Sequence, residues 1–136
     1  MAAWMSAMVV GDRAVNVDVK RALERDRTID ITTIGRRTGR PRRIEIWFHR
    51  VDGRLYITGT PGRRGWYANL LHHREFTFHL KGGVRADLQA TATPIVDLTE
   101  RRGVLSRILA KLGASRQLEA WVAGSPLVEV ALVEAS

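Results

Sequence analysis

Apolar positions along the chain change period several times, and each change marks a predicted element. In DRAVNVDVKRALERD (12–26), Val15, Val19, Ala22 and Leu23 recur at helical intervals, which predicts a helix. TIDITTI (28–34) is rich in β-branched residues and predicts a strand. RRIEIWFHRV (42–51) alternates, with Ile44, Ile46 and Phe48 on one face and Glu45, Trp47 and His49 on the other, and reads as one long strand. VDG (51–53) signals a hairpin turn into the strand RLYITGT (54–60). PGRRG (61–65) reads as a loop and WYANLLHH (66–73) as a short helix. EFTFHLK (75–81) alternates strictly, and the glycines at 82–83 turn it into VRADLQATATPIV (84–96). Asp97 followed by Glu100 predicts a helix N-cap, and the helix carries Val104, Leu105, Ile108, Leu109 and Leu112 at core spacing before stopping at Gly113. A short helix (115–123) and a strand, PLVEVALVE (126–134), follow.

This order predicts a mainly β, α+β fold. About six antiparallel strands are joined mostly by short turns and flanked by helices, as in a barrel or curved sheet. With 136 residues, 45% of them hydrophobic, the chain fits one domain spanning 1–136. Within it, 1–26 forms an N-terminal arm or helix and 97–123 a helical insertion before the last strand. The opening MAAWMSAMVV is apolar but short, with no basic leader, and is read as an arm packing on the domain rather than a signal peptide or membrane span.

Composition narrows the chemistry. The chain has no cysteine, which removes disulfides, thiol nucleophiles and thiolate metal sites and agrees with a cytoplasmic location. The net charge is +8, and 19 of the 22 basic residues are arginine. The planar guanidinium fork suits bidentate binding of phosphate and carboxylate, so an anionic partner is indicated: nucleic acid, a membrane surface touched peripherally, or a polyanionic small ligand. The oligomeric state is not written in this pattern.

Five of the arginines crowd TTIGRRTGRPRR (32–43). Gly35 and Gly39 permit tight backbone conformations there, Pro41 fixes the exit, and a nest of main-chain N–H groups at such a bend binds anions. A charged hairpin guarding a sheet edge would carry the same residues. The GRP triplet is shared with minor-groove DNA-binding arms. Those arms are flexible whereas this one lies between strands, so nucleic-acid binding stands as the remote alternative. The four histidines show no ligand spacing, and no metal is expected. No Ser-His-Asp set or P-loop is visible, and Trp47, Trp66 and Trp121 read as core or pocket-wall aromatics.

Three stretches, TTIGRRTGRPRR (32–43), DGRLYITGT (52–60) and GWYANLLHHREFTFHLKG (65–82), together resemble the deazaflavin-dependent nitroreductase family of coenzyme F420-dependent oxidoreductases, in a divergent subgroup. The resemblance implies a split β-barrel like that of flavin-binding pyridoxamine-phosphate oxidases. It also implies that Arg36, Arg37 and Arg42, in a turn shaped by Gly35, Thr38, Gly39 and Pro41, face the phosphate and oligoglutamate tail of coenzyme F420. Trp66, Tyr67 and Asn69 match the helix beside the deazaflavin, and Gly59, Thr60 and Gly62 match what is left of a glycine-rich loop that is longer in other members. Where those members carry proline in the second strand, this chain has Glu45, expected to pair with Arg43 or an arginine of the opposite strand.

The implied activity is hydride transfer from reduced F420 to a small apolar acceptor such as a quinone, nitroaromatic or enone, with Tyr67 the candidate proton donor. The shortened loop leaves a second reading open: a non-catalytic carrier of F420 or of a fatty acid-like lipid.

Overall fold

A computed structural model describes residues 13–133; the apolar opening and the end of the last predicted strand lie outside the described residues. Helix α1 (Arg13–Arg25) is followed by strands β1 (Thr28–Ile34), β2 (Pro41–Trp47), β3 (His49–Val51) and β4 (Arg54–Thr58). Then come α2 (Gly65–His72), β5 (Glu75–Lys81), β6 (Arg85–Pro94), α3 (Leu98–Leu112), a 3-10 turn (Ser115–Gln117), α4 (Leu118–Gly124) and β7 (Leu127–Leu132). The strands form one sheet in the order β2-β1-β5-β6-β7-β4-β3, antiparallel throughout. It curls into a half-barrel of seven strands, where about six were expected.

The extra strand comes from the predicted run 42–51, which divides at Phe48. That residue is buried edge-on against Phe78, with ring centroids 5.2 Å apart, and its N–H donates to the carbonyl of Arg27 at 2.9 Å. Its backbone is thereby taken out of the ladder. Before the break the chain pairs with β1 at one edge of the sheet; after it, the chain pairs with β4 at the other. The predicted apolar face reaches the core only at this point. Ile44 is 37% exposed on the edge strand, and Ile46 packs at the core margin.

The expected partner of Glu45 is also different. Glu45 lies directly opposite Asp30 in the β1–β2 register, and both carboxylates bind Lys81 from β5, at 2.7 Å for Asp30. Arg43 instead pairs with the second oxygen of Asp30 at 2.9 Å. Two facing carboxylates need a shared cation, and a lysine stem reaching across β1 supplies it. The Lys81 ammonium, then the Arg43 guanidinium, hold the Asp30 carboxyl below its ordinary value.

Two cores form. The larger lies inside the curl, where Val19, Ala22 and Leu23 of α1 meet Ile31, Phe78 and Ala92 of the sheet. The smaller packs Leu105, Ile108, Leu109 and Trp121 of the helical segment on Val51 and Tyr56. The predicted caps are present: the Asp97 carboxylate accepts from Glu100 N–H at 2.9 Å, and Gly113 ends α3 at φ 69°. The hairpin turn has positive φ at Asp52 (52°) and Gly53 (77°), the signature of a tight two-residue turn.

Arg101 has no signature in the local pattern. It is 7% exposed, and its guanidinium donates to the carbonyls of Ile95, Trp121, Val122 and Ser125 at 2.7–3.1 Å. The C-terminal carbonyls of a helix carry partial negative charge, so a cation there needs no carboxylate. This clamp ties the start of α3 to the end of α4. No helix among the described residues is long and apolar enough to cross a membrane.

Candidate functional site

The basic bend is a closed hairpin end between Ile34 and Pro41, which pair across β1 and β2. Gly35 N–H donates to Arg40 O, and Gly39 N–H to Gly35 O, both at 2.8 Å. Arg40 N–H donates to Thr38 Oγ1 at 3.2 Å. A Cβ on Gly35 would lie 2.7 Å from that Oγ1 and 3.3 Å from the Arg40 carbonyl, so only glycine fits without a shift; Gly39 sits at φ 68°. Arg36 N–H is also taken, by Asn69 Oδ1 at 3.1 Å. Among the described residues, only the amides of Arg37 and Thr38 remain without a protein partner between Gly35 and Arg40. The anticipated nest is therefore small, and the bend's capacity for anions rests on its guanidiniums.

Helix α2 stands against the bend through Asn69, a side chain 7% exposed. Its Oδ1 accepts from both the backbone and Nη1 of Arg36, while Nδ2 donates to Thr33 Oγ1 at 3.1 Å. Gly35, Arg36, Arg37, Thr38, Arg42 and Asn69, with Gly65, line a cleft of about 220 Å³. Six of the expected site residues are thus brought together from two separate stretches of sequence. Gly39, Arg40 and Pro41 belong to the turn without lining the cleft.

The remaining expected residues are placed differently. Trp66 is buried in the larger core, edge-on to Tyr67 at 5.9 Å. Gly59 lies behind Arg64 and Pro126. Thr60 is bound by Arg64, whose Nη2 donates to Thr60 O (3.0 Å) and Oγ1 (2.6 Å). Gly62, at φ 133°, donates its N–H to Gly124 O at 3.1 Å. The short loop is thus braced on itself and on α4, with the Gly62 amide already taken.

Tyr67 holds a junction. With Arg36, Arg63, Arg64 and Leu71 it lines a cleft of about 320 Å³. With Arg63, Val96, Leu98, Val122 and Pro126 it lines another of about 560 Å³. Arg36 and Gly65 belong to both the first cleft and the second, so the three form one groove running from a guanidinium end to a mainly apolar end. Thr33, Val96, Leu98 and Val122 were not anticipated. The apolar wall comes from a helical segment far along the chain, and its spacing looks like ordinary core.

The histidines carry other duties. Buried His79 is held on both sides, Nε2 to Thr32 Oγ1 at 2.6 Å and Nδ1 to Asp87 Oδ1 at 2.7 Å, which lowers the Asp87 pKa. Burial, then the charges of Arg27 and Lys111, push His49 down to about 4. No His/Asp/Glu cluster among the described residues could hold a metal ion. Trp47, expected in a core or pocket wall, is instead largely exposed, with Arg27 over its ring at 5.1 Å.

Comparison with curated proteins finds no match. Solved structures share the fold at low identity. A conserved hypothetical protein from Mycobacterium tuberculosis superposes with TM-score 0.67 at 15% identity, covering 88% of this chain and 79% of that one. A chain described as an F420 reductase gives 0.60 at 16%, covering 84% and 92%. The heme storage protein HutZ from Vibrio cholerae gives 0.63 at 12%, covering 89% and 92%. These likenesses establish the split-barrel fold. Residues 4–120 match the family described as F420H(2)-dependent quinone reductase. The chain is therefore a member of the F420H(2)-dependent quinone reductase family, whose coenzyme is the deazaflavin F420.

Proposed function

We propose that this protein binds F420 along the groove and catalyses transfer of a hydride from the reduced coenzyme to a small apolar acceptor, a quinone, nitroaromatic or enone. The observation that carries this reading is the groove's composition. Its bend end presents Arg36, Arg37 and Arg42, none paired with a carboxylate among the described residues. Its far end presents Val96, Leu98, Val122 and Pro126. The donor set fits the coenzyme, because one phosphate and a run of carboxylates call for several guanidiniums in a row. When bound, F420 supplies the two-electron chemistry.

The protein's own part is to bind and orient. Arg37 and Arg42 hold the anionic portion, and Arg36 is aimed by Asn69. Tyr67, between the charged and apolar ends, is the side chain placed to give a proton to the acceptor. The bend is a hydrogen-bonded hairpin rather than an extended arm, which argues against insertion into a DNA groove.

A carrier reading draws support from the short loop, which Arg64 ties to Thr60 and whose Gly62 amide is already bound to Gly124. Titration with F420, followed by turnover of reduced F420 with a panel of quinones, nitroaromatics and enones, separates the two. Saturable binding with coenzyme oxidation above background is the expected result. Saturable binding without oxidation of any acceptor would leave a carrier.

A further inference from the structure

Arg63 and Arg64 are neighbours in the short loop but do different things. Arg64 folds back onto its own loop: Nη2 donates to Thr60 O and Oγ1, and Nη1 to Arg63 O. It fixes the loop. The Arg63 guanidinium pairs with no carboxylate among the described residues, and Arg63 lines both the middle cleft and the apolar one. Beside it are Tyr67, Val96 and Leu98, the last two strongly exposed at 74% and 65%.

The sign of the apolar end is equally informative. None of the residues lining the three linked clefts is acidic. The buried Arg101, neutralised by no acid among the described residues, forms part of the wall and adds to the positive potential. The cleft of about 480 Å³ between the β3–β4 hairpin and α3 shows the contrast, since there Arg54 and Arg107 are balanced by Asp52 and Glu100. Positive charge around an apolar wall disfavours cations, leaves neutral molecules indifferent and attracts an acid whose body is apolar.

We infer that the acceptor of this protein is an apolar molecule bearing an acidic group, with Arg63 the residue that selects for it. This rests on the reading of the groove as coenzyme site and acceptor site in series. Arg63 grips the carboxylate through a charge-assisted hydrogen bond while Val96, Leu98 and Val122 cover the body and leave the reducible part toward Tyr67.

The test uses three naphthoquinones: one with a short carboxylate side chain, its methyl ester, and the unsubstituted compound. Binding is read by quenching of intrinsic tryptophan fluorescence without coenzyme, and reduction by steady-state assay with reduced F420. The wild type should bind the acid about fivefold more tightly than the ester, a preference that shrinks with salt, as for a partly exposed charge pair. Arg63→Gln should erase the preference for the acid over the ester in both Kd and KM, and Arg63→Lys should restore part of it. Equal binding of acid and ester by the wild type would overturn the inference, as would Arg63→Gln weakening F420 binding with the acid preference intact. If no quinone is reduced, the enzymatic reading fails, yet the fluorescence titrations still decide the role of Arg63. Decanoate that competes with the acid quinone in an Arg63-dependent way would identify the same site in a carrier.

Discussion

Asn69 and Arg36 are joined twice: the side-chain oxygen of Asn69 accepts from both the backbone N–H and the Nη1 of Arg36, each at 3.1 Å. One buried amide thereby sets the position of the bend's backbone and the direction of its first guanidinium. Its own NH₂ is anchored on Thr33. In this arrangement Asn69 serves as a positioning residue, its oxygen already taken by Arg36.

Replacing Asn69 with alanine should cost about 1–3 kcal/mol of stability, because the Thr33 hydroxyl and the Arg36 amide lose their partner. Coenzyme binding should weaken too. Asn69→Asp keeps an acceptor for Arg36 but puts a carboxylate into a groove lined by none, so it should bind F420 more weakly than the alanine variant despite the recovered contact. Denaturant midpoints and coenzyme titrations check both; tighter binding by the aspartate variant would contradict the positioning role.

Arg37→Ala and Arg42→Ala should each weaken F420 binding by about 1.5–3 kcal/mol, the range for a hydrogen bond to a charged group, with stability changed by less than about 0.5 kcal/mol. Arg40→Ala, on the same bend but outside the cleft, should bind like wild type. Wild-type affinity in all three would mean that the bend's charge only protects an edge strand.

Arg101→Met should destabilise the fold by about 3 kcal/mol or more, since four carbonyls lose a buried donor at once. The damage should be regional. Hydrogen exchange should accelerate in α3 and α4 before it does in β1 and β5; uniform acceleration would show that the clamp is not local.

Acid sensitivity should appear early. His49 titrates near 4 in the folded protein against an ordinary 6.5, so between those values the unfolded chain takes up a proton that the native state refuses. The stability associated with neutral His49 is complete above about pH 6.5 and drains away as the pH falls toward 4. The Asp30 carboxyl, held low by Lys81 and Arg43, adds a further loss only below its ordinary 3.8. His49→Gln should flatten the first slope and leave the second, as read from thermal midpoints across the pH range.

Much of this was legible from local pattern. The alternation of 75–81, the Asp97 cap and the Gly113 stop are decided within a few residues of themselves, and each stands where its pattern places it. The charge-rich bend and the Tyr67 and Asn69 positions could also be singled out in advance, and they line adjoining clefts, whereas Trp66 went to the core. What stayed hidden depends on pairs distant in sequence. Glu45 meets Lys81 because of the β1–β2 and β1–β5 registers. Phe48 breaks its strand because Phe78 and the Arg27 carbonyl are waiting for it. The apolar wall of Val96, Leu98 and Val122 faces Tyr67 only after Arg101 has drawn the helical segment together. None of these has a local signature, since each is a property of the closed sheet.

The sheet order places β7 between β6 and β4, so the last strand among the described residues fills an interior slot. During synthesis β1, β2, β5 and β6 can zip together as they emerge, and the β3–β4 hairpin can form by itself. The two pieces have no common seam until residues 127–132 leave the ribosome tunnel. Up to then, β4 and β6 both display open ladders edged with Leu55, Ile57, Ala90 and Ala92, a template for pairing with another nascent chain. Chaperone demand and aggregation of truncated products should therefore concentrate on chains that stop short of Leu127, while any chain carrying Leu132 clear of the tunnel can seal itself in one step.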